Sequence, residues 1–260
     1  MRRKDWRLFM KRTSANLKSL ARESLAGNFG LPVSGYLLIT VATSVLSMVL
    51  TGFLDLSSTI SLVTSQILVY LFSLLSSLLM AGYNKMLLNL SRRMPYSLKD
   101  ILYTFSHNPD RFIIVNFLML LAGILVSLPF DIPSYTSTSM NAMMLSLVGI
   151  LVRSLVNIIL CAFFGLANYL LLDYPEMGSI EAMKESLRLM KGNKGRYFYL
   201  YLSFLPLTLV CTFTCYIGIL WLLPYMQTTL AFFYMDVTGE LDTPVIEPGS
   251  FQDDTFNPNM

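Results

Sequence analysis

The stretch LSLVGILVRSLVNIILCAFFGLANYLLL, residues 145–172, decides the fold class, because it is a long apolar run that only one charged side chain interrupts. A helix needs roughly 20 mostly apolar residues to cross a membrane, and this run is long enough. Further runs of this kind lie at about 31–53, 60–84, 111–130, 197–216 and 217–237. The sequence therefore predicts an all-α fold, a polytopic transmembrane helix bundle of about six spans.

The composition agrees with a membrane as the solvent. Of the 260 residues, 54% are hydrophobic and 13% are charged, whereas a soluble domain carries about 25% charged residues. The net charge of +3 gives no reason to expect nucleic-acid binding. Cys161, Cys211 and Cys215 lie in apolar segments, so we expect them to pack as small apolar side chains. We expect no metal and no other cofactor.

The last two predicted spans leave two topologies open. Both are close to the minimum length, and Gly218 alone separates them. The second contains Pro224 and Gln227, which make it less apolar. Either the chain crosses six times, or a fifth span is followed by a re-entrant segment at 217–237.

The positive charges indicate the orientation. Every Lys and Arg except Arg153 lies before the first span, between spans two and three, or between spans four and five. The opposite links, 54–59 and 131–144, contain none. Because cytoplasmic loops carry an excess of Lys and Arg, we expect a cytoplasmic N-terminus. The acidic segment 238–260 is rich in Pro, Gly and Asp, which predicts a flexible tail.

Two amphipathic helices are predicted on the cytoplasmic surface. In residues 5–26, apolar side chains such as Trp6 and Phe9 recur at three- and four-residue steps, with basic residues opposite. A basic helix with aromatic residues on its apolar face favours the membrane surface. A weaker pattern at 179–191 places Ile180, Met183, Leu187 and Met190 on one face. Residues 1–30 therefore precede the bundle, which occupies 31–237.

Each of these helices ends in a similar corner. RESLAGNFGLPV, residues 22–33, and KESLRLMKGNKGRYF, residues 184–198, both place Gly-Asn-x-Gly shortly after Glu-Ser-Leu. Gly27 and Gly192 are predicted to end the helices in the left-handed conformation. Asn28 and Asn193 are expected to cap the following helix, and the second glycine to allow close approach to a neighbour. The corner would convert a surface helix into a crossing one.

The basic residues near these corners are candidates for binding anionic headgroups of membrane phospholipid, or a protein partner. The candidate residues are Arg7, Lys11, Lys18, Arg22, Asn28, Lys191, Asn193, Lys194 and Arg196. The same positive charges also serve as ordinary cytoplasmic anchors, and the sequence does not separate the two roles.

Several short motifs resemble a known family. They are Ala21-Arg22-Glu23-Ser24-Leu25, Gly27-Asn28, Gly82-Tyr83, Tyr169, Asp173-Tyr174-Pro175, Glu181-Ala182, Lys191-Gly192-Asn193-Lys194, Leu202-Ser203-Phe204, Trp221, Pro224-Tyr225, Thr228-Thr229, Ala231 and Phe233-Tyr234. Together they resemble the bacterial membrane proteins catalogued as domain of unknown function 975. The resemblance implies a multi-pass protein of the bacterial plasma membrane. It brings no activity, substrate or catalytic residue.

Polar side chains inside the spans give two further candidates. Arg153, Asn157 and Asn168 share one helix face, and this stripe lines either a path for an anion or a structural network with a carboxylate such as Asp131 or Asp55. Small residues also recur every four positions, at Ser73, Ser77 and Ala81 and at Thr40 and Ser44. They indicate close helix packing or, alternatively, a polar pore lining.

The sequence indicates the function of the protein only in outline. No order of catalytic residues, paired intramembrane carboxylates or Gly-rich phosphate loop is present in the sequence, so we do not expect an enzyme. The leading hypothesis is a non-catalytic membrane protein that binds lipid or a partner at its basic cytoplasmic face. The alternative is a transporter or channel for a small, anionic solute that uses the Arg153 stripe.

Overall fold

The structure, a computed structural model, describes residues 11–52, 59–136, 139–213 and 217–242. All regular secondary structure in these ranges is helical, which confirms the predicted all-α class. The helices are α1 (Ser14–Leu25), α2 (Gly30–Gly52), α3 (Thr59–Ser91), α4 (Tyr103–Ser106), α5 (Pro109–Thr136), α6 (Met140–Phe164), α7 (Ala167–Asp173), α8 (Ser179–Met190), α9 (Lys194–Leu202), α10 (Leu205–Phe213) and α11 (Ile219–Val237). Short 3₁₀ turns lie at Leu98–Leu102 and Glu240–Asp242.

Four segments within these ranges are long and apolar enough to cross a membrane. They are Gly30–Val49, Val63–Ser91, Pro109–Pro133 and Met143–Asp173. They coincide with the first four predicted spans. At most 22% of the apolar window in any of them is buried, so their apolar surface is left for lipid to cover.

The predicted fifth span, 197–216, is an interrupted helix. α9 ends at Leu202 and α10 begins at Leu205, and each has nine residues. Pro206 has no N–H to donate to the carbonyl of Leu202, so the regular hydrogen-bond ladder stops there. Neither part alone reaches the roughly 20 residues that crossing needs, and the count of six spans stays a prediction.

The second half of α11 forms the core of the molecule. Residues 228–236 are all buried, and α11 contacts α1, α2, α3 and α10. The hydroxyls of Thr228 and Thr229 donate to the carbonyls of Pro224 and Tyr225, so the buried polar groups are satisfied. The predicted sixth span is thus a helix that protein, rather than lipid, surrounds over its second half.

The described part of the first amphipathic helix packs on the protein. α1 buries Leu17, Ala21 and Leu25, and it contacts α11, α3 and α9. Trp6 and Phe9, on which the surface prediction rests, lie outside the described residues. Helix α1 itself is confirmed, but the apolar face of its described part is covered by neighbouring helices.

The second amphipathic helix, α8, is present, and its buried face is only partly the predicted one: Met190 is buried and Met183 packs against the core. The buried face carries Ala182, Ser186, Leu189 and Met190, while Ile180 is exposed. Small side chains let helices approach closely, and the hydroxyl of Ser186 donates to the carbonyl of Phe163 at 3.0 Å. Close packing on α6 therefore decides the orientation of α8, and hydrophobicity alone does not.

Candidate functional site

The two Gly-Asn corners have the same geometry. Gly27 and Gly192 have φ values of +79° and +82°, which confirms the predicted left-handed conformation. The backbone N–H groups of Asn28 and Asn193 donate to the carbonyls three residues earlier, at 2.8 and 3.0 Å. The repeated sequence thus encodes a repeated local structure.

Two details of the predicted corner are wrong. The side-chain amides of Asn28 and Asn193 donate backward, to the carbonyls of Ser24 at 3.4 Å and Leu189 at 2.8 Å. They therefore cap the preceding helix, whose last carbonyls lack partners within the helix, and not the following one. A Cβ on Gly30 or Gly195 would meet nothing within 4 Å, so neither glycine is needed for close approach.

The corners lie at one end of the bundle, which we call the basic end: α3 and α7 finish there, and α2, α5 and α9 start there. Two arginines at this end hold a buried carboxylate. Arg12 contacts Asp236 at 3.4 Å and Asp242 at 2.7 Å, and Arg196 contacts Asp236 at 2.5 Å. Only 1% of the Asp236 side chain is exposed. A carboxylate this buried requires such partners.

A third arginine ties the ends of α3 and α7 to the segment after α11. Arg92 contacts Asp173 at 2.6 Å and Glu240 at 2.7 Å, and the hydroxyl of Tyr234 donates to Asp173 at 2.8 Å. Burial lowers the pKa of Arg92, but the bonds to the two carboxylates outweigh it and raise the pKa above its ordinary value.

We call these seven residues the arginine–carboxylate cluster: Arg12, Arg92, Asp173, Arg196, Asp236, Glu240 and Asp242. The sequence predicts only Arg196 among them as a site residue, and it predicts Glu240 and Asp242 to lie in the flexible tail. The structure holds both of these side chains in ion pairs, while residues 243–260 lie outside the described part. In the sequence, Asp236 is the residue that could have indicated this cluster, because a charge at the end of an apolar helix needs a partner.

The basic residues of α1 serve the protein's own packing. Lys18 donates to the carbonyl of Ser203 at 2.7 Å and lies 3.9 Å above the ring of Phe204. Burial, and then the neighbouring charge of Arg22, lower the pKa of Lys18. Arg22 and Asn28 are exposed. Arg7 lies outside the described residues.

The second corner gathers lysines. Lys11 donates to the carbonyl of Gly192 at 3.3 Å, which brings the start of the first helix region to this corner. Lys191 is exposed, and the Lys194 ammonium lies 3.4 Å from the centroid of the Phe163 ring. Asn193 is buried and accepts from Arg196 at 3.0 Å. Of the predicted basic candidates, Lys191 and Lys194 therefore belong to this corner, and Lys11 contacts it.

A cleft between α6 and α9 begins beside this corner. It has a volume of about 320 Å³. Asn157, Cys161 and Ala162 line one wall, and Tyr197, Tyr201 and Leu202 line the other. The walls are mainly apolar, and the side chains of Phe198, Leu202 and Leu205 are about half exposed. We call this the α6/α9 cleft.

The Arg153 stripe does not form one continuous surface. Arg153 donates to Asp131 and, at 2.7 Å, to Ser127, so the structural network with Asp131 is the alternative that the structure contains. Asn157 lines the α6/α9 cleft. Asn168 exchanges 3.4 Å contacts with Asn116 on α5. Asp55 lies outside the described residues.

A family model matches residues 10–240 of the chain. The chain belongs to the family described as "Protein of unknown function (DUF975)". The match confirms the family resemblance, and it spans both corners, the α6/α9 cleft and all but one residue of the arginine–carboxylate cluster. DUF975 membership supplies no activity. No curated protein and no solved structure matched the chain.

Proposed function

We propose that this DUF975 protein is a non-catalytic integral membrane protein that binds an anionic phospholipid at its basic end. One observation carries the proposal: the apolar α6/α9 cleft, lined by Ala162 and Tyr197, begins beside the corner that carries Lys191 and Lys194 and that Lys11 contacts. A phospholipid has a charged head joined to an apolar tail. The lysines of the corner would face the head, and the apolar walls of the cleft would face the tail.

The length and direction of the cleft suit an acyl chain within one leaflet of the bilayer. Lys194 begins α9, and the cleft then runs from Tyr197 in α9 to Leu205, the first residue of α10. At 1.5 Å per residue the α9 part of this path, from Tyr197 to Leu202, is about 8 Å long, and Leu205 extends it towards half of the roughly 30 Å hydrocarbon core. A tail in the cleft would therefore run from the basic end towards the middle of the bilayer.

The charges favour an anionic headgroup. The arginines of the arginine–carboxylate cluster are matched by carboxylates, whereas neither Lys191 nor Lys194 takes part in an ion pair with a described residue. Each Lys near an anionic surface contributes about 1 kcal/mol. The first corner is a poorer site, because Glu23 lies there opposite Arg93.

A non-catalytic role agrees with the state of the acidic groups. Asp173, Asp236 and Glu240 each face an arginine, so these carboxylates are already engaged in contacts within the protein. The anion transporter that uses the Arg153 stripe is not favoured, because Arg153 already faces Asp131.

The charge part of the proposal predicts a change in lipid preference. Replacing Lys191→Gln and Lys194→Gln should lower the preference for phosphatidylglycerol over phosphatidylcholine by about 2 kcal/mol, or roughly 30-fold. The measurement is native mass spectrometry of the full-length protein, released from mixed micelles of the two lipids. The matched control is Lys99→Gln with Lys184→Gln, which removes the same charge from two exposed lysines outside the cleft.

Ala162→Leu tests whether the acyl tail occupies the α6/α9 cleft, because the larger side chain narrows the cleft. This variant should retain less of both lipids, whereas the lysine variant should lose only the anionic preference. Equal loss of preference in the lysine variant and its control would show a diffuse effect of charge and contradict the proposal. Retention of a protein instead of lipid at this corner would contradict it as well.

A further inference from the structure

A second cavity lies between α2, α3, α5 and α7, and none of these helices lines the α6/α9 cleft. Its volume is about 680 Å³, within the range of roughly 300–1,000 Å³ that is typical of ligand pockets. The wall carries hydroxyls on α2 and α3 and the amides of Asn84, Asn116 and Asn168. We call it the polar cavity. Its hydroxyls include Thr40, Ser73 and Ser77, for which the sequence left packing and a polar lining open.

The polar cavity is neutral. No Lys, Arg, Asp or Glu is among the described residues that line it. A charged solute in the apolar part of a bundle needs an opposite charge or a metal. An uncharged solute needs hydrogen bonds alone, and the wall offers many.

The wall presents mainly acceptors. Thr40, Thr43, Ser73 and Ser77 donate their hydroxyl hydrogens to carbonyls of their own helices, at 2.6 to 2.9 Å. Their oxygen lone pairs are then left to accept. A ligand that matches this wall must supply donors.

Two buried oxygens have no partner in the described part of the chain. They are the side-chain oxygens of Ser76 and Asn84, and both residues line the polar cavity. Leaving a buried polar atom unpaired is costly, so this part of the wall is held less firmly than a fully hydrogen-bonded helix contact. Asn116 and Asn168, which contact each other, complete the amide end of the wall.

The polar cavity ends near Tyr36 on the side of the basic end and continues the other way. Towards the basic end, Tyr36 packs on Tyr83, whose hydroxyl donates to the carbonyl of Pro32 at 2.9 Å. Towards the opposite end, the cavity shares Thr43 and Ser47 with a more open hollow that reaches Met48. From Tyr36 to Met48 the polar wall of α2 extends about 18 Å.

We propose that the polar cavity binds a small neutral solute rich in hydrogen-bond donors, of the polyhydric alcohol class, which enters from the end opposite the basic end. The lone pairs of the Thr40, Thr43, Ser73 and Ser77 hydroxyls accept from the solute's hydroxyl groups. This site is independent of the phospholipid site, because the two share no lining residue.

The test is thiol labelling of the full-length protein in vesicles, after Cys161, Cys211 and Cys215 are replaced by Ser. Ser76→Cys places a thiol in the wall. Leu75→Cys is the matched control. Leu75 precedes Ser76 in α3, does not line the cavity, and has a side chain that is 43% exposed. Methyl methanethiosulfonate should label Ser76→Cys about tenfold faster, since a thiolate forms readily only where water reaches it.

Erythritol is the probe for binding. It should slow labelling of Ser76→Cys roughly threefold at twice its dissociation constant, and potassium chloride at equal osmolality should not. Adding Thr40→Val, which removes one accepting hydroxyl and keeps the shape of the side chain, should weaken this protection while labelling stays fast, which separates lost binding from lost folding. Labelling as slow as at Leu75→Cys would mean a dry gap and overturn the proposal. Fast labelling that erythritol does not slow, or that potassium ions alone slow, would overturn it too.

Discussion

At the scale of single residues, buried charge organises the basic end. Asp236 is almost fully buried and contacts both Arg12 and Arg196, which come from distant parts of the sequence. The sequence indicates that charges inside apolar segments need partners, and it included the Arg153–Asp131 pair among its alternatives. It could not indicate the partners of Asp236, because they depend on how the helices fold back on one another.

Removing this carboxylate should destabilise the protein. Asp236→Asn keeps the shape of the side chain but leaves Arg12 and Arg196 without their shared counter-charge. The expected loss is about 3 kcal/mol, as for other broken buried pairs. The free energy of unfolding in mixed detergent micelles measures it.

The matched control is Glu185→Gln, which breaks a more exposed pair with Arg188 on α8. Exposed pairs contribute at most about 1 kcal/mol. If both variants lost equally little stability, the arginine–carboxylate cluster would not hold the basic end together.

At the scale of elements, local patterns predicted more. The first four spans follow from apolar length, which is a property of each segment alone. The left-handed glycines of the corners also followed from the sequence. The packed face of α8 and the capping direction of Asn28 and Asn193 did not, because they depend on neighbours and on which helix end lacks partners.

The corners permit a paired glycine test. Gly192→Ala should lose about 1–2 kcal/mol, since an alanine is strained at a φ of +82°. Gly195→Ala should be neutral or gain up to about 1 kcal/mol, because this residue is helical and its Cβ would meet open space. Thermal unfolding compares the two. A greater loss at Gly195 would contradict the corner geometry.

At the scale of the whole molecule, ion pairs constrain the topology. Arg12 contacts Asp242, so the two residues lie on one side of the membrane, and the chain between them crosses an even number of times. Four and six spans both satisfy this condition, whereas a fifth span followed by a re-entrant segment does not. Segment lengths alone leave the number of crossings open, and the contact between distant segments adds a condition that they do not contain.

Sidedness can be measured directly. In a background without native cysteines, Ser19→Cys and Thr243→Cys should be labelled by an impermeant thiol reagent from one side, and Met144→Cys from the other. Ser19 and Met144 are exposed. Labelling of Ser19→Cys and Thr243→Cys from opposite sides would contradict the pairing of Arg12 with Asp242.

The proposed position of an anionic phospholipid, with its tail in the α6/α9 cleft and its head at the corner of Gly192, can be measured by photo-crosslinking. The probe is phosphatidylglycerol that carries a diazirine in one acyl chain, and peptide mapping locates the crosslinks. We expect crosslinks concentrated in residues 157–162 and 197–205, and their loss in Ala162→Leu. Crosslinks spread evenly over the outward faces of α2, α3 and α5, with none enriched in the cleft, would contradict this position of the lipid.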